Sequence, residues 1–481
     1  MRRRPIYTVL AMMVAAMLQA QDVQRFSQRD LMGSARYVGM GGAMTAIGGD
    51  HTAALDNPAG LGLYRRKEVS VTFDRMWDYT VQVGQRTQEY RYRFSMPEVA
   101  VVWSFGNPNK LSGVIFNNLM FSAHRLANFN RTITAQGNSN AGLAATICKK
   151  TNGLTEDDLV ATDDYMNNLW NNTELGWLTI MGYNTYLINP QSEGSDQWVP
   201  AVRWNWSSLD VKESGDANQY SISWAANINN QWYVGLGLNV PTLTYIKEMK
   251  LRETAYEMSN TDGGQVYSSI SASGVGFGAT IGAIYRPCQW VRIGASFQTP
   301  TMMNISMKLE GSMSSTIDDV TSRVLTPDIG NSVSQWVLPM RVSAGAAVQV
   351  MQYAMLSLQY DYAHWKTTTD VHTFRAGAEV NIAKGLYING GYVLEPTFSR
   401  HDPISEMPYN TIRTDTDFRV TRTSQYASVG VGYRWSWFVL NAAYQYRWQN
   451  IHQYATEMQA EPFDIATRTH QFVFTLAWRF N

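Results

Sequence analysis

The side chains that most often carry chemistry are few in this chain and do not cluster. None of the seven histidines or two cysteines falls at the spacing that metal-binding motifs use. No Gly-x-Ser-x-Gly nucleophile elbow is present, and the glycines Gly274, Gly276 and Gly278 lack the later glycine of a dinucleotide-binding loop. We therefore predict no catalytic residue, no metal site and no cofactor, and a protein that is not an enzyme. The cysteines Cys148 and Cys288 are predicted to be unpaired.

The composition points away from a soluble enzyme and from a nucleic-acid-binding protein. Charged residues make up 16% of the chain, well below the roughly 25% that is usual for soluble domains. The 39 basic and 39 acidic side chains balance, so no basic domain exists that could neutralise phosphates. We predict no nucleic-acid partner.

The first twenty residues have the three parts of an export signal. Arg2, Arg3 and Arg4 form a positive region, the stretch 6–18 is largely apolar, and Ala20 is a small residue where signal peptidase would cut. The apolar run is too short for the roughly 20 residues that a helical membrane span requires. We predict a signal peptide over 1–20 and an exported mature chain.

The elements that follow the signal are long strands with two different faces. In the last segment Phe472, Phe474 and Phe480 share one side, because successive side chains of a strand point to opposite faces. Gln471 and Thr475 lie on the other side. The same alternation occurs over 437–448, 354–363 and 291–298. Short polar turns alternate with longer polar loops along the chain, which is typical of outer-membrane barrels.

The alternation predicts an all-β fold, a transmembrane antiparallel β-barrel of about fourteen strands over 67–481. An even count returns the last strand to the side of the first, as closure of an antiparallel barrel requires. The predicted strands are 67–78, 90–106, 111–126, 217–228, 232–254, 266–285, 290–310, 335–351, 354–366, 371–382, 386–394, 423–434, 437–448 and 467–480.

A glycine-rich segment before the first strand does not alternate. Residues 33–63 contain eight glycines, which suits tight turns and short helices packed in a confined space. A barrel of this size leaves a lumen unless something fills it. We predict that residues 21–66 form an N-terminal hatch (plug) in the lumen; the alternative is a flexible periplasmic leader.

Two stretches of the sequence carry more specific motifs. The first runs over 34–50 and continues in Asn57-Pro58-Ala59-Gly60-Leu61, and the second covers 281–287 and 291–300. Both resemble the FadL/TodX family of outer-membrane transporters for hydrophobic compounds: the first is similar to the hatch of that family and the second to its mid-barrel hairpin. The resemblance implies a fourteen-stranded barrel, a hatch, and passage of an apolar ligand from an external groove into a pocket and then sideways through an opening in the wall.

Only the hatch motif supplies candidate site residues. They are Gly39, Gly41, Gly42, Asn57, Pro58, Ala59 and Gly60, with a gating or ligand-contact role. Because Pro fixes φ and Asn tolerates tight turns, Asn57-Pro58 suits a hinge or anchor, and an ordinary structural turn is the alternative. Some relatives are labelled hemin receptors, so a haem-ligand role for His51, the one histidine of the hatch, stays open.

A long insertion near 130–215 interrupts the strand pattern. Within it Thr155-Glu156-Asp157-Asp158 resembles a capping box that opens a helix through about Trp170. Apolar residues continue from there to Tyr186. They could form an exposed ligand-capture groove, but apolar helix faces usually pack, so we expect them to cap the barrel.

The favoured function is transport of hydrophobic small molecules, such as long-chain fatty acids, through a hatch-closed barrel. The expected location is the outer membrane of a Gram-negative bacterium. The expected partners are an apolar ligand and outer-membrane lipid, and the expected state is a monomer. The alternatives are a FadL-like barrel that serves as a surface component of a type IX secretion system, and a barrel enzyme whose residues assemble across strands.

Overall fold

The structure covers most of the chain after residue 21. The computed structural model describes residues 22, 25–84, 88–106, 112–138, 142–159, 169–170, 172, 174–201, 206–254, 263–364, 370–396 and 411–480. The predicted signal peptide lies outside these residues.

Strands dominate the described part of the chain. They are β1 Lys67–Gln82, β2 Gln88–Gly106, β3 Val114–Asn128, β4 Arg131–Asn138, β5 Ile188–Pro190, β6 Trp198–Pro200, β7 Trp206–Ile228, β8 Trp232–Thr254, β9 Gly263–Tyr285, β10 Val291–Gln298, β11 Thr301–Ile317, β12 Val320–Leu325, β13 Ser332–Leu338, β14 Met340–Val350, β15 Ala354–His364, β16 Val371–Ala383, β17 Leu386–Glu395, β18 Phe418–Arg434, β19 Phe438–Tyr454 and β20 Phe463–Phe480.

Helices are short and lie between the strands or before them. They are α1 Ala35–Gly39, α2 Ala53–Asp56, α3 Leu143–Thr151 and α4 Trp177–Asn184, with 3-10 helices at Pro58–Leu63 and Glu156–Asp158. In the described ranges, no helix has the length and apolar character needed to cross a membrane.

The strands close into an antiparallel barrel of fourteen strands, as the alternation predicted. β1 pairs with β2 on one side and with β20 on the other, in a register that runs from Lys67 opposite Phe480 to Gln82 opposite Ile465. Three strands of the barrel are interrupted: β3 continues as β4, β10 as β11, and β12 and β13 lead into β14. Because the sheet closes, its backbone groups are paired without a free edge at the seam.

The two faces of the wall differ as the alternation requires. On β20 the side chains of Gln471 and Thr475 are buried in the lumen, while Phe472 and Phe474 are 39% and 47% exposed on the outer surface. This outward apolar face recurs on the other strands and is the surface that lipid would cover. The lumen face is mostly polar.

Most predicted strand bounds are confirmed, but several strands extend further toward the loop end than predicted, among them β18, which starts at Phe418, and β19, which ends at Tyr454. The stretch between the predicted strands 290–310 and 335–351 holds the end of β11, all of β12 and the start of β13. The insertion expected to begin near 130 contains β4, and the strand expected at 217 starts at Trp206 in β7. At their loop ends β4, β7 and β11 turn apolar residues such as Ile133, Leu209 and Met313 inward, where they pack with the cap, and the outward apolar face on which the prediction relied is missing.

We call the end of the barrel with short connections the turn end and the other the loop end. At the turn end the connections cover 112–113, 229–231, 286–290, 351–353, 384–385 and 435–437 among the described residues. The long connections, 139–205 among them, lie at the loop end.

The insertion packs as a cap, as expected. The described apolar residues of α3, α4 and their neighbours, including Leu159, Leu169 and Trp177, are buried in one cluster with wall residues such as Leu251 and Phe463. The capping box is present, with the Thr155 backbone nitrogen 2.8 Å from Asp158 Oδ2. It opens only a 3-10 turn, and residues 160–168 of the expected helix lie outside the described residues.

Candidate functional site

The hatch fills the turn-end half of the lumen and touches the wall through backbone atoms. Gly41 lies in the left-handed region, with φ of +61°. A Cβ placed on Gly391 of β17 would lie 2.1 Å from the Gly41 nitrogen, and a Cβ on Gly377 of β16 would lie 2.5 Å from the Met40 carbonyl oxygen. Carbon atoms normally stay about 3.5–4.0 Å apart. The two wall glycines therefore admit the hatch where any other residue would displace it.

The other two glycines of the first motif are equally confined. Gly39 ends α1 and its carbonyl accepts a hydrogen bond from Ser428 Oγ at 3.2 Å. A Cβ there would lie 2.1 Å from the Asn389 side chain. Gly42 has φ of +68°, and a Cβ on it would overlap the Arg375 guanidinium.

Asn57 and Pro58 anchor the second half of the hatch. The buried Asn57 side chain donates to the carbonyls of Thr45 at 2.8 Å and Ala283 at 3.3 Å, and accepts from the backbone nitrogen of Ala59 at 3.1 Å. Pro58 is the first residue of the 3-10 helix, where its missing N–H costs no hydrogen bond. One amide thus holds two hatch turns and β9 together.

The hatch motif and the mid-barrel hairpin meet in the structure. A Cβ on Gly282 of β9 would lie 2.0 Å from Asn57 Oδ1, and a Cβ on Gly294 of β10 would lie 2.3 Å from the Thr45 carbonyl oxygen. A Cβ on Gly235 of β8 would lie 2.4 Å from the Pro58 carbonyl carbon. The two stretches that carry the family resemblance are therefore the two sides of one contact.

Ala59 and Gly60 complete the predicted set. Ala59 is fully buried against Tyr233 and Ile284 of the wall. The Gly60 carbonyl accepts from Gly49 at 3.0 Å, which closes the hatch on itself. All seven candidate residues lie at packing contacts, which favours the anchoring role over a free turn. A ligand contact by any of them stays a prediction.

A buried ionic cluster joins the hatch to the wall beside these contacts. His51 Nε2 lies 3.3 Å from Glu98 Oε2 of β2, and Thr52 Oγ1 donates to the same carboxylate at 2.6 Å. His124 of β3 lies 3.9 Å from Glu98 Oε1. Burial lowers the pKa of His51, but the adjacent Glu98 carboxylate outweighs burial and raises it to about 10. Sequence spacing alone did not reveal that two histidines share one carboxylate.

His51 has the surroundings of an ion pair and not of a haem ligand. Its Nε2 faces Glu98, and its Nδ1 lies 3.9 Å from Glu68 Oε1. The ring is 3% exposed. Among the described residues, no group of three His, Cys, Asp or Glu side chains is placed to hold a metal ion.

The start of the hatch runs toward the loop end and holds the place where β3 stops. Asp30 donates from its backbone nitrogen to the Leu126 carbonyl at 2.9 Å and accepts from the Asn128 nitrogen at 3.1 Å. Its carboxylate also accepts from Arg447 at 3.1 Å. Phe26 packs edge-on to Phe129, the residue that follows β3, with ring centroids 6.4 Å apart. Both contacts come from residues that sequence analysis did not single out.

Phe26 belongs to an aromatic cluster inside the barrel. Its ring stacks on Trp336 at 5.6 Å and packs against Tyr245 at 5.2 Å. Phe129 contacts the same Tyr245 ring at 5.4 Å. Leu243 and Ile305 extend the cluster along the wall. This is an apolar site at mid-height in an otherwise polar lumen.

Charged side chains surround the same level. Glu213 of β7 lies 2.7 Å from Arg419, 3.2 Å from Arg25 and 3.4 Å from Arg131. Its carboxylate also accepts from Tyr245 at 2.6 Å. Burying charge is costly unless it is paired, so each arginine fixes its own segment of chain to the same point. Arg25 belongs to the start of the hatch, so the hatch is one of the segments attached to Glu213.

The strand pairing of the wall is interrupted beside the strand break. β2 pairs with β1 along its length but with β3 only from Glu98 to Gly106. β4 pairs with β7 and with no other described strand. It lies inside the barrel instead, where the Gln136 backbone exchanges two hydrogen bonds of 2.9 Å with the Gln82 side chain of β1. The loop-end half of β2 therefore has no strand on its β4 side, and we call this place the wall gap.

Side chains bridge the wall gap. Arg91 of β2 donates to Thr132 of β4, and Arg93 donates to the Asn130 carbonyl. Arg93 also pairs with Asp78, whereas no carboxylate of the described residues pairs with Arg91. Behind the bridge lies a cavity of about 50 Å³ whose lining is mostly polar, with Leu31, Met76 and Tyr426 as its apolar or aromatic members. The alternation of Ile133 and Ala135 in β4, both buried, is the one local signal that could have revealed this strand.

Comparison with known proteins shows which solved structures have a similar fold. No protein-family model and no curated protein sequence matches the chain. The crystal structure of a Pseudomonas aeruginosa FadL homologue aligns over 94% of this chain and 100% of its own, with a TM-score of 0.56 at 9% identity. The Pseudomonas putida toluene transporter TodX aligns over 94% and 100%, with a TM-score of 0.53 at 11% identity. The monoaromatic hydrocarbon channel CymD aligns over 94% and 99%, also with a TM-score of 0.53, at 12% identity. The chain therefore has the fold of the FadL and TodX barrels, with fourteen strands and an N-terminal hatch.

Proposed function

We propose that this protein admits hydrophobic small molecules, such as long-chain fatty acids, through the outer membrane of a Gram-negative bacterium. The observation that carries the proposal is the wall gap beside an apolar cluster. An apolar molecule gains about 0.8 kcal/mol for each methylene removed from water, so it needs an apolar path. A path that leaves through the wall delivers it to lipid without crossing the polar lumen. The similarity to a toluene transporter and a hydrocarbon channel supports the same class of ligand.

The route runs from the cap to the aromatic cluster and then to the wall gap. Phe129 stands between the last two, because it belongs to the cluster and directly follows β3. On the outer surface of β2, Tyr92 and Phe94 are 67% and 75% exposed beside the gap. A molecule that passes the bridge thus meets an apolar surface that lipid covers.

The described state is closed, and the hatch keeps it so. The cavity of about 50 Å³ behind the bridge is too small for a drug-sized ligand, which needs about 300 Å³ or more. Phe26 occupies the aromatic cluster, and Asp30 fixes the end of β3. A ligand that replaces Phe26 in the cluster would remove the contact between Phe26 and Phe129. Binding would then shift the equilibrium toward an open gap by its preference for that state.

Arg91 suggests why a fatty acid would suit the gap. Its guanidinium bridges the gap without a carboxylate partner among the described residues, so it has donors for a ligand carboxylate. An uncharged hydrocarbon would use the same route without that contact.

An uptake assay tests the proposal. Cells that lack the protein are complemented with the wild type or a variant, and their uptake of a labelled long-chain fatty acid and of toluene is measured. We expect Arg91→Gln to reduce fatty-acid uptake several-fold and to leave toluene uptake unchanged. Arg252→Gln, at an exposed arginine near the loop end of β8, is the matched control. Equal uptake of both compounds with and without the wild-type protein would refute the transport role.

Mass spectrometry of gently extracted protein gives an independent test. The proposal predicts a bound fatty acid or another apolar molecule. The alternative role in type IX secretion predicts secreted proteins in the same preparation instead.

A further inference from the structure

A second, larger cavity lies at the turn end, on the far side of the hatch from the wall gap. It measures about 960 Å³ and opens at the mouth of the barrel. Its inner end is closed by the hatch residues Gly49, Leu63 and Tyr64. The turns after β14, β16 and β18 form its sides. We call it the vestibule.

The vestibule concentrates positive charge. Its lining contains five cations and one carboxylate: Arg65, Arg66, Lys384, Arg434, Arg479 and Glu68. Glu68 pairs with Arg479 at 2.7 Å. In the described part of the chain, no carboxylate forms an ion pair with the other four. Arg66 donates to the Ser436 carbonyl at 2.6 Å, and Arg434 lies 5.1 Å from the centre of the Tyr387 ring.

The excess of positive charge is confined to the turn end of the barrel and is not found in the chain as a whole. Basic and acidic residues balance at 39 each. Exposed carboxylates such as Asp157, Asp158, Asp318 and Glu461 lie in connections of the loop end. Like charges gathered at one mouth repel one another and raise the local concentration of an anionic partner. Nothing in the packing of the fold requires four such cations around an open cavity.

The form of the lining indicates the kind of partner. The four cations lie on three separate chain segments around the mouth, so a single small anion reaches only some of them. Tyr353 and Trp435 also line the vestibule and are 57% and 44% exposed. Arg, Tyr and Trp are the residue types that dominate protein interfaces. An extended acidic segment with apolar side chains contacts the cations and both aromatic rings.

We propose that the vestibule is a docking site for an acidic peptide segment of a periplasmic protein. That the turn end faces the periplasm follows from the membrane placement in the proposed function. The docked segment would lie against Gly49 and Tyr64, so it would contact the hatch from below. The proposal is separate from ligand passage, which uses the wall gap.

Fluorescence anisotropy tests the proposal. It measures the binding of a fluorescein-labelled, glutamate-rich peptide to the full-length protein in neutral-lipid nanodiscs. We expect salt-dependent binding that the vestibule variant R65Q/R66Q/K384Q/R434Q weakens about tenfold or more, since four weak exposed ion pairs are lost. The matched control K149Q/K212Q/R252Q/R323Q removes four exposed cations elsewhere and should bind as the wild type does. Unheated gel mobility verifies that both variants form the barrel.

Several results would overturn the proposal. Equal binding by the vestibule variant and the wild type would show that the peptide binds elsewhere or non-specifically. Tripolyphosphate that competes as well as a peptide of equal charge would indicate a small-anion site. Binding that requires phosphatidylglycerol in the nanodisc would indicate a lipid-headgroup site. The uptake assays above do not depend on any of these outcomes, so the two proposals fail separately.

Discussion

Adding one methyl group to the wall at Gly391 should loosen the hatch without unfolding the barrel. In Gly391→Ala the new Cβ would lie 2.1 Å from the Gly41 nitrogen, 2.3 Å from the Met40 carbonyl carbon and 2.6 Å from the Gly41 Cα. All three are backbone atoms, so no side-chain rotation relieves the overlap. The hatch turn has to retreat by about 1–1.5 Å to restore ordinary contacts.

The size of the effect follows from the cost of overpacking. Extra methyl groups in a packed interior cost about 1–3 kcal/mol. With about 1.4 kcal/mol for each tenfold change in an equilibrium constant, the ratio of docked to undocked hatch should fall roughly 5- to 150-fold. The barrel strands keep their pairing, because the overlap lies on the lumen side of β17 only.

Liposome swelling in a small sugar measures the undocked fraction, and denaturant unfolding measures the stability of the barrel. We expect Gly391→Ala to swell faster than the wild type in proportion to the undocked fraction. Gly390→Ala is the matched control, since its Cβ would lie 3.8 Å from the Ser428 carbonyl, an ordinary contact. Wild-type swelling and wild-type stability of Gly391→Ala would refute the close backbone contact.

Three further outcomes are expected. Because the pKa of His51 is raised above its ordinary value of 6.5 to about 10, its ion pair with Glu98 stabilises the folded protein fully below about pH 6.5 and is lost as the pH rises through about 10. Between about pH 7 and pH 10 the free energy of unfolding should therefore fall by roughly 3 kcal/mol more in the wild type than in His51→Gln. If the free energy of unfolding falls equally with pH in both proteins, the ion pair does not contribute as stated. Maleimide added to the periplasmic side should label the exposed Cys288 in the turn after β9 but not the buried Cys148, whose pKa burial raises to about 12; labelling of Cys288 only from outside the cell would reverse the orientation. Replacing Glu253 by Gln should lower the melting temperature of the cap, because its carboxylate accepts from the first backbone nitrogens of α3, and unchanged protease resistance of the cap would contradict this.

The strands of the barrel could be predicted because lipid and lumen impose different chemistry on alternate residues. The bounds of β8 agree with the prediction at both ends, since its apolar outer face continues through most of the strand. Where strands rise beyond that face, as in the first part of β7, the outward side chains are polar while Leu209 and Val211 pack inward with the cap, so the outward apolar face gives no signal.

The candidate site was only half visible from sequence. In each close contact between the hatch and a wall glycine, the hatch residue belongs to the predicted hatch motif. The wall residues Gly282 and Gly294 belong to the second motif. That these residues touch was not predictable, since a contact between Asn57 and Ala283 joins positions 226 residues apart. Phe26, Asp30 and Arg91 had no local pattern at all. Their roles follow from the strand break after Asn128, which only the three-dimensional arrangement reveals.

The path of the hatch inside a closed ring of strands constrains how the protein is assembled. Residues 22–64 extend from the Asp22 contact with Arg413 of the loop end to the mouth at the turn end. Contacts with β8, β9, β10, β16 and β17 hold the segment on several sides. A segment held on several sides is more easily enclosed than threaded into a finished cylinder. We therefore expect the β1–β20 seam to pair last, around a leading segment that already lies inside the barrel.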